Sequence, residues 1–238
     1  MRKSDADLKK VTTAFVLGAG LGTRLRPLTN TCPKPLLPVR GRPMITHAFD
    51  HLIDAGIRRL LVNTHHCAER YTEAFPEGHW RGVPLVFRHE PVLLETGGGI
   101  KNIEDLLAPD EPLLVYNGDV WSSLPLPQLL DFHAAQHAEV SLALRSTGGP
   151  LHIRLGADGR ICDIRSSLGQ TAGRDCLFSG IYIVEPAFRA RFKPEEKISV
   201  IPVFLDMIRQ GRAPHGIVLD EGEWSDLGTL EEYQKLCA

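Results

Sequence analysis

AFVLGAGLGTRLRPLTNTCPKPLLP, residues 14–38, joins a short apolar run to a loop rich in glycine and cationic residues. The apolar run, Val11 to Leu17, predicts a buried strand. Glycine adopts positive φ readily and can turn its backbone amides toward an anion. The loop carries three glycines and three cations: Gly18, Gly20, Gly22, Arg24, Arg26 and Lys34. This combination predicts a loop that binds the phosphates of a nucleotide.

Neither of the two common nucleotide-binding loops matches this stretch. The dinucleotide fingerprint G-x-G-x-x-G requires glycine at position 23, where the chain has Thr23. The Walker A loop requires a Gly-Lys-Ser/Thr ending, which this stretch lacks. A dehydrogenase of the Rossmann type is therefore a weak alternative, and a titration followed by NADH fluorescence would test it.

The pattern G-x-G-x-G-T-R-L-x-P-L-T over residues 18–29, followed by P-K-P-L-L-P over residues 33–38, resembles the signature of the sugar-1-phosphate nucleotidyltransferases. The resemblance implies an enzyme that condenses a nucleoside triphosphate with a sugar 1-phosphate and releases pyrophosphate, with Mg²⁺ as cofactor. It also implies an α/β fold, a Rossmann-like three-layer sandwich with a mixed, mainly parallel sheet.

Length and composition predict one globular domain. The chain has 238 residues, of which 43% are hydrophobic and 24% charged. We expect a solvated leader over residues 1–10 and one nucleotidyltransferase domain over residues 11–238. Its nucleotide-binding half would span residues 11–138 and its sugar-phosphate-binding half residues 139–238. We expect no hexapeptide-repeat domain after the final helix, and a monomer or homodimer.

The net charge limits the classes of binding partner, and the cysteine content indicates the state of the thiols. A net charge of -2 gives no overall basic field that would favour nucleic acid or an anionic membrane. The sequence contains neither a secretory signal nor an apolar run long enough to span a membrane, so we expect a cytoplasmic protein. The five cysteines are scattered, which indicates reduced thiols.

Apolar runs alternate with helical patterns through the first half of the chain. Strands are predicted at residues 59–63, 84–88 and 112–116, and helices at residues 44–53 and 68–75. Leu94 to Gly99 is predicted as a second glycine-rich loop that leads into a helix reaching Leu107. This alternation indicates a mainly parallel sheet with helices on both faces. After residue 139 the pattern predicts antiparallel additions, including a hairpin around residues 156–159.

Asp119 and Asp226 are the candidate metal ligands. Asp119 follows a predicted strand, and ligands of open parallel sheets lie beyond the carboxyl ends of strands. Taken alone, either aspartate is better explained by a supporting role in a turn than by metal binding. The resemblance assigns both to Mg²⁺, through Gly118-Asp119 and through the segment WSDLGT at residues 224–229. His65 and His66 are adjacent in an extended segment and would point to opposite sides, so we expect no bidentate metal binding there.

Nucleotidyl transfer relies on alignment and on neutralising phosphoryl charge, which suits Lys34 between two prolines and Arg24. We therefore predict Arg24, Lys34 and Asp119 as catalytic residues. The resemblance places the nucleobase at residues 95–99. The predicted nucleotide-binding residues are Leu17, Gly18, Ala19, Gly20, Gly22, Thr23, Arg24, Glu95, Thr96, Gly97 and Gly98.

The ETGGG form of residues 95–99 is most similar to the N-acetylmuramate-1-phosphate uridylyltransferases, which favours UTP. Mannose and heptose guanylyltransferases resemble the chain almost as well, so GTP stays open. The predicted sugar-phosphate-binding residues are Asn117, Ser179, Gly180 and Arg165. Many relatives carry a Glu-Lys element where this chain has Ile164-Arg165-Ser166, so Arg165 is the substitute phosphate cation that we expect. A catalytically silent nucleotide-sugar sensor is the alternative of another class.

Overall fold

In the computed structural model, which describes residues 10–237, a ten-stranded mixed sheet carries helices on both faces. The predicted leader over residues 1–10 lies outside the described residues, apart from Lys10. Three neighbouring strands form the parallel centre of the sheet: β1 (Thr13–Leu17), β4 (Arg59–Thr64) and β7 (Leu113–Asn117). β6 (Val83–His89) extends it in parallel beside β4, and the short β5 (His79–Trp80) closes that edge.

The second half of the chain adds mainly antiparallel strands, as predicted. The long strand β12 (Arg174–Val184) pairs antiparallel with β7 and with β9 (Val140–Arg145). The predicted hairpin is β10 (Ile153–Leu155) with β11 (Ile161–Ile164), and β13 (His215–Val218) runs parallel to β9. Two small sheets stand apart: β2 (Pro38–Val39) with β3 (Arg42–Pro43), and β8 (Val120–Ser122) with β14 (Trp224–Asp226).

Side chains of β1 alternate between two hydrophobic cores. Ala14 and Val16 pack on the face covered by α1 (Ile45–Asp54), α2 (Glu69–Ala74) and α4 (Leu126–Gln136). Phe15 packs on the opposite face, covered by α3 (Glu95–Asn102), α5 (Pro186–Arg189) and α6 (Val200–Arg209). A strand buried on both faces is apolar at nearly every position, which is why the sequence predicted it. The three-layer α/β sandwich is confirmed.

A third, smaller core joins the first loop to the last helix, α7 (Leu230–Cys237). Leu25 and Leu37 pack with Leu227 and Tyr233, and the Tyr233 hydroxyl donates a 2.7 Å hydrogen bond to the carbonyl of Pro38. Leu227 and Tyr233, from the C-terminal part of the chain, therefore hold the first loop in place.

The second glycine-rich segment is helical, and the prediction of a loop was wrong. α3 begins at Glu95, includes all three glycines and ends at Asn102, before a 3₁₀ turn at Glu104–Leu106. Glycine weakens a helix by about 1 kcal/mol relative to alanine, so the sequence favoured a loop. Tertiary packing overrides this preference, as described below.

Two further observations bear on the sequence analysis. All five cysteines are free thiols. Among residues 10–237, no helix combines the length and apolar character needed to cross a membrane.

Candidate active site

The glycine loop and Asp119 meet at the carboxyl ends of β1 and β7. These strands run parallel with Leu17 opposite Asn117, and the Gly118 amide donates a 3.0 Å hydrogen bond to the carbonyl of Leu17. A Cβ on Gly118 would lie 2.5 Å from that carbonyl oxygen, so only glycine allows this approach. Asp119 consequently emerges beside the loop, as its position after a parallel strand predicted.

Buried side chains clamp the first glycine of the loop. The Gly18 amide donates to Asn63 Oδ1 at 2.7 Å, and the Gly18 carbonyl accepts from the Tyr71 hydroxyl at 2.9 Å. Farther along, Gly22 has a φ of 60° and its carbonyl accepts from Thr29 Oγ1 at 2.8 Å. Gly20 lies between these anchors, and a Cβ there would meet no described atom within 4 Å. The loop is fixed at both ends and open at Gly20.

Lys34 forms the central ion pair of the site. Its Nζ lies 2.7 Å from Asp119 Oδ2, and the Lys34 residue is only 7% exposed. Pro33 and Pro35 flank it at a 3₁₀ turn over Lys34–Leu36, which limits the backbone conformations from which the ammonium can be presented. The predicted catalytic cation and the predicted metal ligand are therefore in direct contact.

Asp226 reaches the same place from the far end of the chain. β14 pairs antiparallel with β8, which sets Asp226 opposite Val120, and the Leu227 amide donates a 3.1 Å hydrogen bond to the carbonyl of Asp119. Burial raises the pKa of Asp226 above its ordinary value, and the Asp119 carboxylate raises it further, against the opposing effect of Lys34 and Arg24. Two acidic side chains close enough to influence each other are stabilised by nearby positive charge.

Asp226 Oδ1 is buried and has no hydrogen-bond partner in the structure. A buried carboxylate oxygen without a donor is costly, and a hard cation such as Mg²⁺ would satisfy it. Within residues 10–237, no group of three or more His, Cys, Asp and Glu side chains is arranged to hold a metal ion. The aspartate pair therefore fits a Mg²⁺ ion that takes its other ligands from phosphate and water oxygens, as Mg²⁺ commonly does.

Arg24 lies next to this pair, although it is exposed. A Cβ placed on Gly228 would lie 3.0 Å from Arg24 Nη1 and 3.2 Å from Asp226 Oδ1, so the guanidinium packs over the backbone of Gly228. Arg24 and Lys34 thus place two cationic groups around the two carboxylates.

A cavity of about 340 Å³ opens beside the loop. It contains eight of the predicted residues: Leu17, Ala19, Gly20, Lys34, Glu95, Thr96, Asn117 and Asp119. Six other predicted nucleotide-binding residues contribute no lining: Gly18, Gly22, Thr23, Arg24, Gly97 and Gly98. Four lining residues were not predicted from the sequence: Pro35, Asn63, Leu93 and Ser199. Of these, Pro35 lies within a quoted motif, whereas the others follow no recognisable pattern.

Gly97 and Gly98 serve packing within the protein. Both amides donate to the carbonyl of Ile198, at 2.8 Å and 3.1 Å. A Cβ on Gly97 would lie 2.5 Å from Phe192 Cε1, and one on Gly98 would overlap the carbonyl oxygen of Glu196. Because both amides already donate to Ile198, they are not free to bind a ligand in the first cavity.

A second cavity, of about 250 Å³, is lined in part by Asp226. Three predicted sugar-phosphate residues line it: Asn117, Ser179 and Gly180. Asp226 also lines it, and so do several residues that the sequence analysis missed, among them His152, Trp224 and Glu232. Arg165 is exposed and outside this lining, although its amide donates a 2.7 Å hydrogen bond to the carbonyl of His152.

Asn117 connects the two cavities because it lines both. Gly180, with a φ of 79°, lies against its side chain, since a Cβ there would be 2.6 Å from Asn117 Nδ2. Asp119 borders the first cavity and Asp226 the second. The aspartate pair therefore stands at the junction of two binding spaces.

Residues 13–238 match the family model described as "Nucleotidyl transferase". This chain belongs to that family. It is 34% identical over 223 residues to the mannose-1-phosphate guanylyltransferase of Mycobacterium tuberculosis, covering 92% of this chain and 62% of the relative. It is 31% identical over 227 residues to the N-acetylmuramate alpha-1-phosphate uridylyltransferase of Neisseria meningitidis, covering 94% of this chain and 97% of the relative. The chain thus spans under two thirds of the first relative's length.

Solved structures of nucleotidyltransferases share the fold. A putative glucose-1-phosphate thymidylyltransferase from Bacillus anthracis superposes with a TM-score of 0.79 at 20% identity, covering 94% of this chain and 93% of its own. HddC from Yersinia pseudotuberculosis, solved with GMP-PN, gives a TM-score of 0.76 at 22% identity and covers 95% of this chain and 98% of its own. At these identities the likeness concerns the fold alone.

Proposed function

We propose that this nucleotidyl transferase joins a nucleoside triphosphate to a sugar 1-phosphate and releases pyrophosphate. The observation that carries the proposal is the junction of the two cavities at Asn117, Asp119 and Asp226. The first cavity, beside the glycine loop, would hold the nucleotide. The second would hold the sugar 1-phosphate, so that the two phosphates meet at the carboxylates.

In the reaction, a phosphate oxygen of the sugar 1-phosphate attacks the α-phosphorus of the nucleotide. The new bond joins that oxygen to phosphorus, and the bond to the leaving pyrophosphate breaks with its electron pair. The nucleophile is already an anion, so no side chain has to deprotonate it. Because it attacks the α-phosphorus directly, no side chain has to form a covalent intermediate. Alignment and charge neutralisation remain for the protein to supply.

Lys34 and Arg24 supply the positive charge. The ammonium of Lys34 is presented at one place by its burial and by its 2.7 Å contact with Asp119. A cation fixed before the substrate arrives stabilises developing charge without reorganisation. Arg24 is exposed over Gly228 and would bridge two phosphate oxygens through its planar guanidinium.

Asp119 and Asp226 would hold Mg²⁺. When bound, the ion would neutralise phosphoryl charge and align the reacting groups. The orphaned Asp226 Oδ1 supports this assignment, because the oxygen lacks any protein donor. The opposed carboxylates would then be stabilised by the cation that they share.

We propose UTP as the preferred nucleotide. The ETGGG form of residues 95–99, most similar to the N-acetylmuramate uridylyltransferases, supports UTP and N-acetylmuramate 1-phosphate. The alternative pair is GTP with mannose 1-phosphate or a heptose 1-phosphate, supported by the 34% identity to a mannose-1-phosphate guanylyltransferase. A silent nucleotide-sugar sensor is less well supported, because all four charged groups of the proposed chemistry are present and adjacent: Arg24, Lys34, Asp119 and Asp226.

The test is pyrophosphate release with Mg²⁺ across a matrix of substrates. UTP, GTP, dTTP, CTP and ATP are each combined with the 1-phosphates of N-acetylmuramate, mannose, glucose, N-acetylglucosamine and heptose. We expect turnover with UTP and N-acetylmuramate 1-phosphate. Turnover confined to GTP with mannose or heptose 1-phosphate would replace that pair but keep the reaction. Silence across the matrix, in protein shown to bind nucleotide, would contradict the enzyme and favour the sensor.

A further inference from the structure

Behind the nucleotide cavity lies a buried chain of three hydrogen bonds. The Gly18 amide donates to Asn63 Oδ1 at 2.7 Å, and Asn63 Nδ2 donates to Glu90 Oε1 at 2.8 Å. The Leu94 amide donates to the other carboxylate oxygen, Glu90 Oε2, at 3.0 Å. Glu90 is fully buried and Asn63 is 3% exposed. We refer to Asn63 and Glu90 as the relay.

The relay joins the two segments that form the nucleotide cavity. Gly18 begins the phosphate loop, and Leu94 directly precedes Glu95 and Thr96, which line the cavity. Asn63 itself lines the cavity, whereas Glu90 does not. Glu90 therefore contacts the cavity only through the residues to which it is hydrogen bonded.

The third glycine of α3 leaves room for the relay. A Cβ on Gly99 would lie 3.0 Å from Glu90 Oε1 and 3.1 Å from Asn63 Nδ2. Such distances are shorter than most real Cβ contacts, so the neighbours would have to move. Gly99 does not line the cavity. Its lack of a Cβ instead leaves the space that Glu90 and Asn63 occupy.

The chemistry of the relay determines the orientation of each group. Both Glu90 oxygens face N–H donors. A carboxylate can accept a hydrogen bond at each oxygen, whereas the NH₂ group of a glutamine could accept none. Asn63 must turn its oxygen to the Gly18 amide and its NH₂ to Glu90, since the reverse would oppose two donors and two acceptors. A buried charge is costly even when it is hydrogen bonded, and an apolar residue would often serve stability as well. This cost indicates a role beyond stability.

We propose that Glu90 is a positioning residue for the nucleotide, and that through Asn63 it sets the spacing between the phosphate loop and the start of α3. This inference rests on the proposed function of the first cavity. Loss of the relay would let Gly18 and Leu94 move relative to one another, which would weaken nucleotide binding while the second cavity keeps its shape.

Substitutions that exchange hydrogen-bond donors and acceptors within the relay distinguish a positioning role from a general contribution to stability. In Glu90→Gln, the side chain has only one acceptor oxygen for the two donors, Asn63 Nδ2 and the Leu94 amide, so one hydrogen bond is lost. In Asn63→Asp, a second carboxylate faces Glu90 inside the protein. When Asn63→Asp and Glu90→Gln are combined, the introduced carboxylate accepts from Gly18 and from the introduced glutamine NH₂, whose oxygen accepts from Leu94. All three hydrogen bonds are then restored.

The experiment measures the Kd for UTP and for GTP by calorimetry, with Mg²⁺ and without sugar phosphate, for the wild type, both single variants and the double variant. We expect Glu90→Gln to weaken binding of the preferred nucleotide about tenfold in the wild-type background. In the Asn63→Asp background the same substitution strengthens it. The KM for the sugar 1-phosphate stays within about twofold in Glu90→Gln, because the second cavity is untouched.

Glu111→Gln is the matched control. Glu111 also accepts from a backbone amide, that of Ala108, and pairs with Arg59 at 2.9 Å. It precedes β7, accepts from the Thr13 hydroxyl at the start of β1, and lines neither cavity. We expect it to lower Tm without changing nucleotide Kd.

Three results would overturn the proposal in different ways. Wild-type protein that binds neither UTP nor GTP would overturn the proposed function and the relay with it. Wild-type binding, with Glu90→Gln acting in the same direction in both backgrounds or not at all, would overturn the relay alone. Should Glu90→Gln not fold, a double variant that binds no more tightly than Asn63→Asp contradicts the proposal equally.

Discussion

Lys34 Nζ and Asp119 Oδ2, separated by 85 positions in the chain, lie 2.7 Å apart, and both residues line the first cavity. The contact joins the two motifs on which the functional proposal depends. It also makes the two residues interdependent, because removal of either partner leaves the other charge partly buried and unpaired.

Substitution of Lys34 tests the proposed catalytic cation. Lys34→Met keeps most of the apolar stem and removes the charge, so the loop should still pack. Removing one preorganised charge donor commonly lowers turnover by about 10²–10³-fold, and we expect kcat to fall by that order. Lys235→Met, at an exposed position on α7, is the control and should leave kcat unchanged. Wild-type turnover in Lys34→Met would remove the mechanism.

Asp226→Asn should stabilise the metal-free protein while abolishing turnover. The pKa of Asp226 is raised in the folded state, by burial first and by Asp119 second, so its ionisation opposes folding. The stability contribution of protonated Asp226 is complete below its unfolded pKa and is lost as pH rises through the folded pKa. In chelator at pH 8 the variant should therefore have a higher Tm than the wild type, and the difference should shrink toward acidic pH.

We expect Mg²⁺ to reverse the order of the two Tm values. Because an ion that binds only the folded state raises Tm, added Mg²⁺ should stabilise the wild type and leave Asp226→Asn nearly unchanged. An equal Mg²⁺-induced shift in both proteins would contradict the metal assignment.

Gly98→Ala tests whether α3 requires glycine for packing. Alanine gains about 1 kcal/mol in helix propensity, but its Cβ would overlap the backbone carbonyl of Glu196, which has no flexible side chain to yield. Overpacking typically costs about 1–3 kcal/mol, so we expect Tm to fall by several degrees. A Tm at or above the wild-type value would show that the segment moves freely.

Gly20→Ala is expected to separate binding from stability. A Cβ on Gly20 meets no described atom within 4 Å, and Gly20 lines the first cavity, which we propose holds the nucleotide. Tm should stay within about 2 °C of wild type while the KM for the nucleotide rises about tenfold, since the methyl group occupies space that phosphate would approach. An unchanged KM would place the phosphates elsewhere.

Arg165→Ala tests the remaining cation of the sequence prediction. Arg165 lies outside the lining of the second cavity but is hydrogen bonded to His152, which lines it. If the guanidinium reaches the sugar phosphate, the KM for the sugar 1-phosphate should rise about fivefold to tenfold. Arg160→Ala, on the same hairpin and paired with Asp158 at 3.9 Å, is the control. Equal, small effects of the two substitutions would dismiss Arg165.

The main features of the fold and of the candidate site were predictable from the sequence because they depend on local patterns. β1 and β7 are apolar at nearly every position, and parallel strands bring their carboxyl ends to one edge. The glycines of the loop and Asp119 directly follow such strands, so their meeting could be inferred. Asp226 was identified only through the family motif, because the three-residue strand β14 has no detectable periodicity.

The errors arise from long-range packing. The helical conformation of residues 95–102 depends on Ile198 and Glu196, about 100 positions away, which no local propensity reflects. Asn63 and Glu90 are single polar residues at strand ends, and their connection depends on the order of β4 and β6 in the sheet. His152 and Trp224 line the second cavity. Both lie in the second half of the chain, where the strand pattern of the sequence is irregular.

The most direct test of the central claim follows both ends of the nucleotide in one reaction. The protein is incubated with Mg²⁺, its preferred sugar 1-phosphate and the preferred nucleotide, labelled either at the α- or at the γ-phosphate. A single displacement at the junction of the cavities predicts that the α-label appears in the nucleotide sugar and the γ-label in pyrophosphate, in equal amounts, with acid-quenched protein unlabelled. An α-label retained covalently on the protein, or hydrolysis to nucleoside monophosphate without sugar transfer, would contradict the account.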